Sequence, residues 1–217
     1  MVDPQQDIEP YLAAAAQKSM RVTHIFETHV QADHLSGARQ LAAVTGAPVL
    51  YHQAAGVAFA HVPPEEGDEH ELGNVHVQVL HTPGHTPDSV SLLVTDRSRA
   101  REPWFVLTGD TLFSAGVGRP DLLGSGRETA LAEQLHTSVF AKLLALPDHL
   151  EVYPAHFGGA ACGKGLSGKP ASTIGFERRF NPALQLSADE FVRYVLADLP
   201  PQPEAFAENR RRNLAGE

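Results

Sequence analysis

The chain has a single cysteine, Cys162, so no intrachain disulfide can form. A chain of 217 residues is long enough to bury a core without such a staple. No apolar run approaches the roughly 20 residues that cross a bilayer. Basic residues are also few: 17 Lys and Arg against 26 Asp and Glu give a formal charge of −9. That balance argues against a nucleic-acid backbone or an anionic membrane as partner. The opening MVDPQQDIEP lacks the basic start and apolar stretch of a signal peptide. With the lone cysteine, this leads to the expectation of a soluble protein of the reducing cytoplasm. The only basic cluster, Arg210, Arg211 and Arg212, reads as a solvated tail.

What the chain does have is histidine, 12 in all. Their placement matters more than their number. Strand-like and helix-like segments alternate. Helices are expected over 6–18, 35–45 (ending at Gly46), 129–146, 172–180 and 187–197. Strands are expected at Arg21–Thr28, Val49–His52, Val75–Leu80, Ser89–Thr95, Trp104–Thr108 and Leu150–Tyr153. A Gly-rich loop spans Phe157–Lys169, and Pro200, Pro201 and Pro203 break whatever follows. No internal repeat or long linker divides the chain, so residues 1–217 read as one α/β domain. Short, hairpin-linked strands exclude a purely parallel sheet.

Four segments each follow a predicted strand and each deliver His or Asp from a loop. They are Thr28-His29-Val30-Gln31-Ala32-Asp33-His34, His81-Thr82-Pro83-Gly84-His85-Thr86, Leu107-Thr108-Gly109-Asp110-Thr111 and Tyr153-Pro154-Ala155-His156. Strand ends are where α/β scaffolds place ligand-binding groups, and imidazole with carboxylate suits zinc, iron or manganese. Singly, each segment is weak, because a lone His after a strand is more often structural. His24, His52, His61, His70, His76, His136 and His149 are read that way, and His81 with them.

Together and in this order, the four segments resemble the metallo-β-lactamase fold superfamily. Its pattern is H-x-H-x-D-H, a His in a Gly-His turn, an Asp after Thr-Gly, and a final His. The resemblance implies an αββα sandwich with the metal site along one edge of the two sheets. It also implies opening strands before Val2-Asp3-Pro4, so the first sheet is expected to be short. An uncovered edge there would invite association, as in a homodimer.

The second His of the pattern is Gln31 here. In the superfamily's two-metal hydrolases that His helps hold the first metal, beside residues matching His29 and His85. Residues matching Asp33, His34 and His156 hold the second metal, and the residue matching Asp110 bridges. A neutral amide binds a borderline divalent ion more weakly than imidazole does. Persulfide dioxygenases, the sulfur-oxidising relatives of glyoxalase II, do without that His. By resemblance they bind one Fe(II) through residues matching His29, His85 and Asp110. Two His and one carboxylate on one face leave room for O₂ and a substrate sulfur. The expected reaction takes a thiol persulfide, glutathione persulfide first, to sulfite and free thiol. Asp33, His34 and His156 would orient ligands and carry protons.

Gly118-Arg119-Pro120-Asp121 and the segment around Cys162 and Lys164 resemble the bacterial dioxygenases often fused to rhodanese domains. Arg119 then either helps place an anionic substrate or pairs structurally with Asp121. Cys162 either touches the persulfide or is an inert loop residue, and Lys164 is an anion contact on the same footing. No rhodanese domain is present, so a sulfurtransferase partner would be a separate chain. The alternative activity is a zinc-dependent thioester hydrolase of the glyoxalase II kind, in which Zn²⁺ lowers the pKa of bound water toward about 7. A third reading is a non-catalytic member.

Overall fold

The computed structural model describes residues 1–217 apart from Ser125. In chain order its main elements are α1 (Glu9–Gln17), β1 (Ile25–Phe26), α2 (Ala38–Thr45), β2 (Val49–Leu50), β3 (Glu69–Leu72), β4 (Val75–His81), β5 (Val90–Asp96), β6 (Phe105–Gly109), β7 (Leu112–Phe113) and β8 (Gly116–Gly118). There follow α3 (Glu128–Thr137), β9 (Glu151–Pro154), β10 (Gly163–Lys164), β11 (Ser172–Thr173), α4 (Ile174–Phe180), α5 (Ala188–Leu196) and α6 (Ala205–Ala215).

Six strands form the main sheet in the order β11-β9-β6-β5-β4-β3, with only the β6–β9 pair parallel. β5 lies inside this sheet, and its alternation sets two layers. Leu93 faces a core made with Leu135, Val139, Leu143 and Phe191 from α3, its continuation and α5. Val90, Leu92 and Val94 face Phe26 and Leu50, from the small parallel pair β1–β2. That pair in turn buries Ile25 and Val49 against Leu41 of α2. The result is helix, sheet, sheet, helix. Fully burying each such Leu, Ile or Val contributes about 1.5–3 kcal/mol.

Local signals account for several boundaries. Gly46 ends α2 in the left-handed conformation, φ +73°. Ser187 and Glu190 form a capping box that starts α5. The helix expected over 129–146 is α3 followed by a π turn at Ser138–Lys142 and a 3₁₀ turn at Leu143–Ala145. The π turn points the Ser138 hydroxyl at the Pro83 carbonyl, 2.7 Å away, beside the His85 turn.

Two expectations need correction. The strand expected over Arg21–Thr28 pairs only at Ile25–Phe26, in a sheet extended by single bridges at Val2 and Val62. The residues after the prolines do not trail off. They form α6, and Arg210–Arg212 lie within it rather than in a solvated tail. The side-chain amide of Asn213 donates to the carbonyls of Gln31 and His34, both at 2.9 Å, and its oxygen accepts from Ser36 N–H at 2.9 Å. Asn209 donates to Ala32 O at 3.0 Å. α6 therefore clamps the loop that carries His29.

Antiparallel steps from β4 to β5 and from β5 to β6, then the parallel step to β9, point β4, β6 and β9 the same way. The loops holding His85, Asp110 and His156 thus leave one edge of the sheet. Replacing Asn213 with Ala strands buried backbone groups of the 31–36 loop. Asn213→Ala should lower unfolding stability by about 1–3 kcal/mol in urea titration. A loss below about 0.5 kcal/mol would show that α6 does not hold the loop.

Candidate metal centre

Three buried side chains meet at the sheet edge. His29 Nε2 lies 3.7 Å from Asp110 Oδ2, and His85 Nε2 lies 3.4 Å from the same oxygen. The two imidazole rings are edge-on, with centroids 5.0 Å apart. Their potential donor atoms all fall within 4.8 Å of one another.

Each side chain is aimed by a partner on its far side. His85 Nδ1 lies 2.8 Å from the Arg119 carbonyl. A carbonyl only accepts, so Nδ1 carries the proton and Nε2 is left bare. Thr28 donates its hydroxyl to Asp3 Oδ2 at 2.8 Å, and Thr28 N–H donates to Asp3 Oδ1 at 2.7 Å. His29 Nδ1–H then donates to Thr28 Oγ1 at 2.9 Å, which turns Nε2 toward Asp110. Asp110 Oδ1 accepts from His156 Nδ1 at 2.7 Å, leaving Oδ2 for the centre.

His85 Nε2 and Asp110 Oδ2 are buried with no hydrogen-bond partner. Leaving such atoms unpaired costs about 1–3 kcal/mol each. A cation between these atoms and His29 Nε2 removes that cost, so the residues present fit a divalent metal held by two imidazoles and one carboxylate. Burial lowers the His85 pKa to about 4, keeping the ring neutral as a ligand requires. Burial pushes the Asp110 pKa up, but the hydrogen bond from His156, with the imidazoles packed around the carboxyl, outweighs it and holds the group below its usual range.

The backbone leaves no slack here. A Cβ on Gly118 would meet the Asp110 carbonyl oxygen at 1.9 Å and His85 Cβ at 3.0 Å. Gly84 has φ +147°, and a Cβ there would lie 2.4 Å from the Leu135 backbone.

Outside the triad, a chain of contacts runs toward solvent. His156 Nε2 lies 2.9 Å from Asp33 Oδ2, and Asp33 Oδ1 lies 3.1 Å from His34 Nδ1. Burial opposes charge on both Asp33 and His156. Even so, the hydrogen bonds from His156 and His34 hold Asp33 far below its usual range, and those to Asp110 and Asp33 hold His156 far above its own. Gln31 is 1% exposed, and neither its amide oxygen nor its nitrogen has a partner. Gln31, Asp33, His34 and His156 line one cleft of about 370 Å³ with Asp3, Thr28 and Tyr153.

The remaining predicted site residues sit differently. Arg119 is 2% exposed. Its guanidinium binds Asp121 at 2.7 and 2.8 Å, Ala161 O at 3.1 Å and Pro200 O at 2.7 Å. Of the two roles open to it, the geometry favours the brace. Lys164 Nζ donates to Ala197 O and lies over the Tyr194 ring, engaged with α5 and the turn after it rather than with the triad. Cys162 is 2% exposed and lies beside His156 and Asp33. Burial pushes its thiol pKa up to about 11.

The histidines read as structural mostly have local partners. His52 caps a 3₁₀ turn and stacks on His81 at 3.8 Å, and His136 stacks on Phe140. Asp3, Thr28 and Asn213 were not read as site residues in the sequence, although Thr28 opens the His29 segment. Their roles come from contacts across the fold, with no local motif to mark them.

A model of the metallo-beta-lactamase superfamily matches residues 2–156. The chain belongs to that superfamily. Among curated proteins it is 31% identical over 206 residues to the mitochondrial persulfide dioxygenase ETHE1 of Bos taurus, covering 91% of this chain and 73% of that one. It is 32% identical over 207 residues to the hydroxyacylglutathione hydrolase of Rhodopseudomonas palustris, covering 94% and 72%. Among solved structures, a metallo-beta-lactamase from Staphylococcus aureus superposes with a TM-score of 0.92 at 32% identity. The match covers 100% of this chain but 65% of that one. ETHE1 from Myxococcus xanthus gives 0.84 at 33%, covering 99% and 87%. The superfamily fold is therefore shared by this chain. No helix among the described residues is long and apolar enough to cross a membrane.

If Arg119 is a brace, Arg119→Met should cost about 1.5–3 kcal/mol of stability in denaturant titration, the scale of lost hydrogen bonds to a charged group. Below the transition, bound metal per chain should match wild type. An unchanged unfolding midpoint with a selective rise in KM would instead make Arg119 a substrate contact.

Proposed function

We propose that this chain is a persulfide dioxygenase that holds one ferrous iron on His29, His85 and Asp110. The observation that carries this reading is the convergence of two imidazole nitrogens and one carboxylate oxygen, with an amide, Gln31, where a two-metal site would need a third imidazole. The persulfide dioxygenases among its relatives support the same branch. The balanced reaction is a thiol persulfide plus O₂ plus water to the free thiol plus sulfurous acid, which ionises to sulfite. Glutathione is the first thiol to test.

Ferrous iron held by His29, His85 and Asp110 would supply the electrons that activate O₂ for oxidation of the terminal persulfide sulfur. The protein's own work is positional. Asp3 and Thr28 hold His29, the Arg119 carbonyl holds His85, and His156 holds Asp110. These supports keep the ligand atoms aimed at one point before any ion arrives. His156, Asp33 and His34 form the hydrogen-bonded path from Asp110 to the cleft. That path suits them to hold water and to carry the protons released as sulfite and thiol form. The Gln31 amide borders the same cleft and can donate and accept without competing for the metal.

Thioester hydrolysis is the second reading, supported by the similarity to a hydroxyacylglutathione hydrolase. Metal content and substrate separate the two. Purified wild type should hold iron in the triad and consume O₂ only when glutathione persulfide is added, as followed with an oxygen electrode. His85→Ala should lose both the iron and the O₂ uptake. Uptake near the wild-type rate in that variant would refute the triad. Gln31→Ala should retain its iron by elemental analysis, and loss of iron there would make Gln31 a ligand.

A further inference from the structure

The wall of the cleft beside the triad holds a side chain that the fold leaves without a partner. Gln31 is 1% exposed, and among the described residues neither its Oε1 nor its Nε2 has a hydrogen-bond partner. Its backbone, by contrast, is fixed. Asn213 donates to the Gln31 carbonyl at 2.9 Å, and the N–H of Val30, just before it, donates to Asp88 Oδ2 at 2.7 Å. The amide therefore stands on a rigid root and borders the cleft lined by Asp33, His34 and His156. Two residues of chain separate Gln31 from His29, which sets their Cα atoms at most about 7 Å apart.

A buried polar group left unpaired costs about 1–3 kcal/mol. Sites built to hydrogen-bond a substrate carry such groups, because the ligand supplies the missing partner. One competing role lies close by. The Glu27 carboxyl is beside the amide, and Glu27 Oε2 is likewise buried and unpaired. An amide turned onto Glu27 would serve the scaffold, and its removal would then lower stability. An amide kept for a ligand destabilises the resting protein, and its removal would leave stability unchanged or raise it.

Hydrogen-bonding capacity decides what fits. The tip of Gln31 offers an acceptor and a donor side by side. A persulfide anion or a carboxylate only accepts, so either would strand Oε1. A carboxylate is disfavoured further, because no Lys or Arg lines the cleft and its Asp33 and His156 are already paired with each other. An ammonium only donates and would strand Nε2. The N–H and C=O of one extended amino-acid residue point to the same side, as they do toward a neighbouring antiparallel strand. Such a residue satisfies both ends of the amide at once. The cleft, at about 370 Å³, is of a size that takes a small ligand.

We infer that Gln31 determines which thiol carrier is taken: its Oε1 accepts from the N–H, and its Nε2 donates to the C=O, of a single extended cysteine residue. The substrate class is then a cysteine linked by amides on both sides, with the reacting group on its sulfur. Glutathione derivatives belong to that class. Cysteamine-type carriers do not, because the unit that bears their sulfur has an N–H but no carbonyl. The inference rests on the reading of the substrate as a thiol derivative at this site, and it holds for a persulfide or a thioester.

The iron-loaded full-length protein and Gln31→Met are compared on two uncharged substrates, the persulfides of N-acetylcysteine methylamide and of N-acetylcysteamine. These differ only in the carboxamide that completes the cysteine residue. Wild type should prefer the first by about 10-fold or more in kcat/KM, the scale of one or two hydrogen bonds. Gln31→Met should bring the preference within about threefold, through a raised KM for the first substrate at similar kcat. Calorimetry with S-methylglutathione, which cannot react, should show about 10-fold weaker binding to Gln31→Met. The melting temperature of Gln31→Met should equal or exceed that of wild type. Should Gln31→Met fail to fold by circular dichroism, Gln31→Asn, which withdraws the amide by one carbon, takes its place and should lose the same preference. A preference kept in the variant would overturn the proposal. So would a melting temperature lowered by more than about 3 °C, the mark of an amide that serves Glu27. If wild type oxidises neither persulfide, the dioxygenase reading fails and calorimetry alone decides: binding of S-methylglutathione that is absent in wild type, or equal in both proteins, overturns the role of Gln31.

Discussion

The structure turns on the Asp110 carboxylate. One oxygen faces two imidazole nitrogens, and the other accepts from His156. A buried carboxylate is unstable unless its charge is met, and here His156 meets it on the outer side. Much of the surrounding architecture serves that arrangement. The Gly118 backbone comes so close to the Asp110 carbonyl that no side chain fits, and the next residue lends its carbonyl to His85. Arg119 is buried at that point, and its guanidinium ties the segment to Asp121, Ala161 and Pro200.

Around this centre the protein builds two environments of different chemical character. The triad is fully buried and free of sulfur. The outer set is partly open, joined by charged hydrogen bonds, and includes a thiol. A single imidazole, His156, touches both. Whatever changes on the solvent side of that ring is felt at Asp110 through one hydrogen bond. This gives the cleft a direct electrostatic line to Asp110 and the imidazoles around it.

The layers that support the edge follow from simple patterning. β5 alternates Leu93 toward the helices and Val90, Leu92 and Val94 toward the second sheet, so one strand glues both halves. Such alternation is visible in the sequence. The second sheet was harder to read. Arg21–His24 carry strand-like residues, yet only Ile25 and Phe26 find partners, because pairing is decided by what lies alongside. The helix over 129–146 was visible as a period but not as a path. The π turn that aims Ser138 at Pro83 leaves no mark in hydrophobic spacing.

From the chain alone came the four His- and Asp-bearing segments, their order, the missing third imidazole at Gln31 and the alternation of helix and strand. These are local facts of residue type and spacing, and local pattern suffices to state them. Tertiary structure alone decided which atoms meet. It tied the Arg119 guanidinium to Asp121, Ala161 and Pro200, brought Cys162 to the side of His156 and Asp33, and set Asp3 and Thr28 behind His29. It also made a helix of the segment after the prolines, where Asn213 reaches carbonyls 179 and 182 residues away. Contacts over such separations arise from how sheets and helices pack, and a hydrogen bond has no signature in sequence until both of its ends are in place.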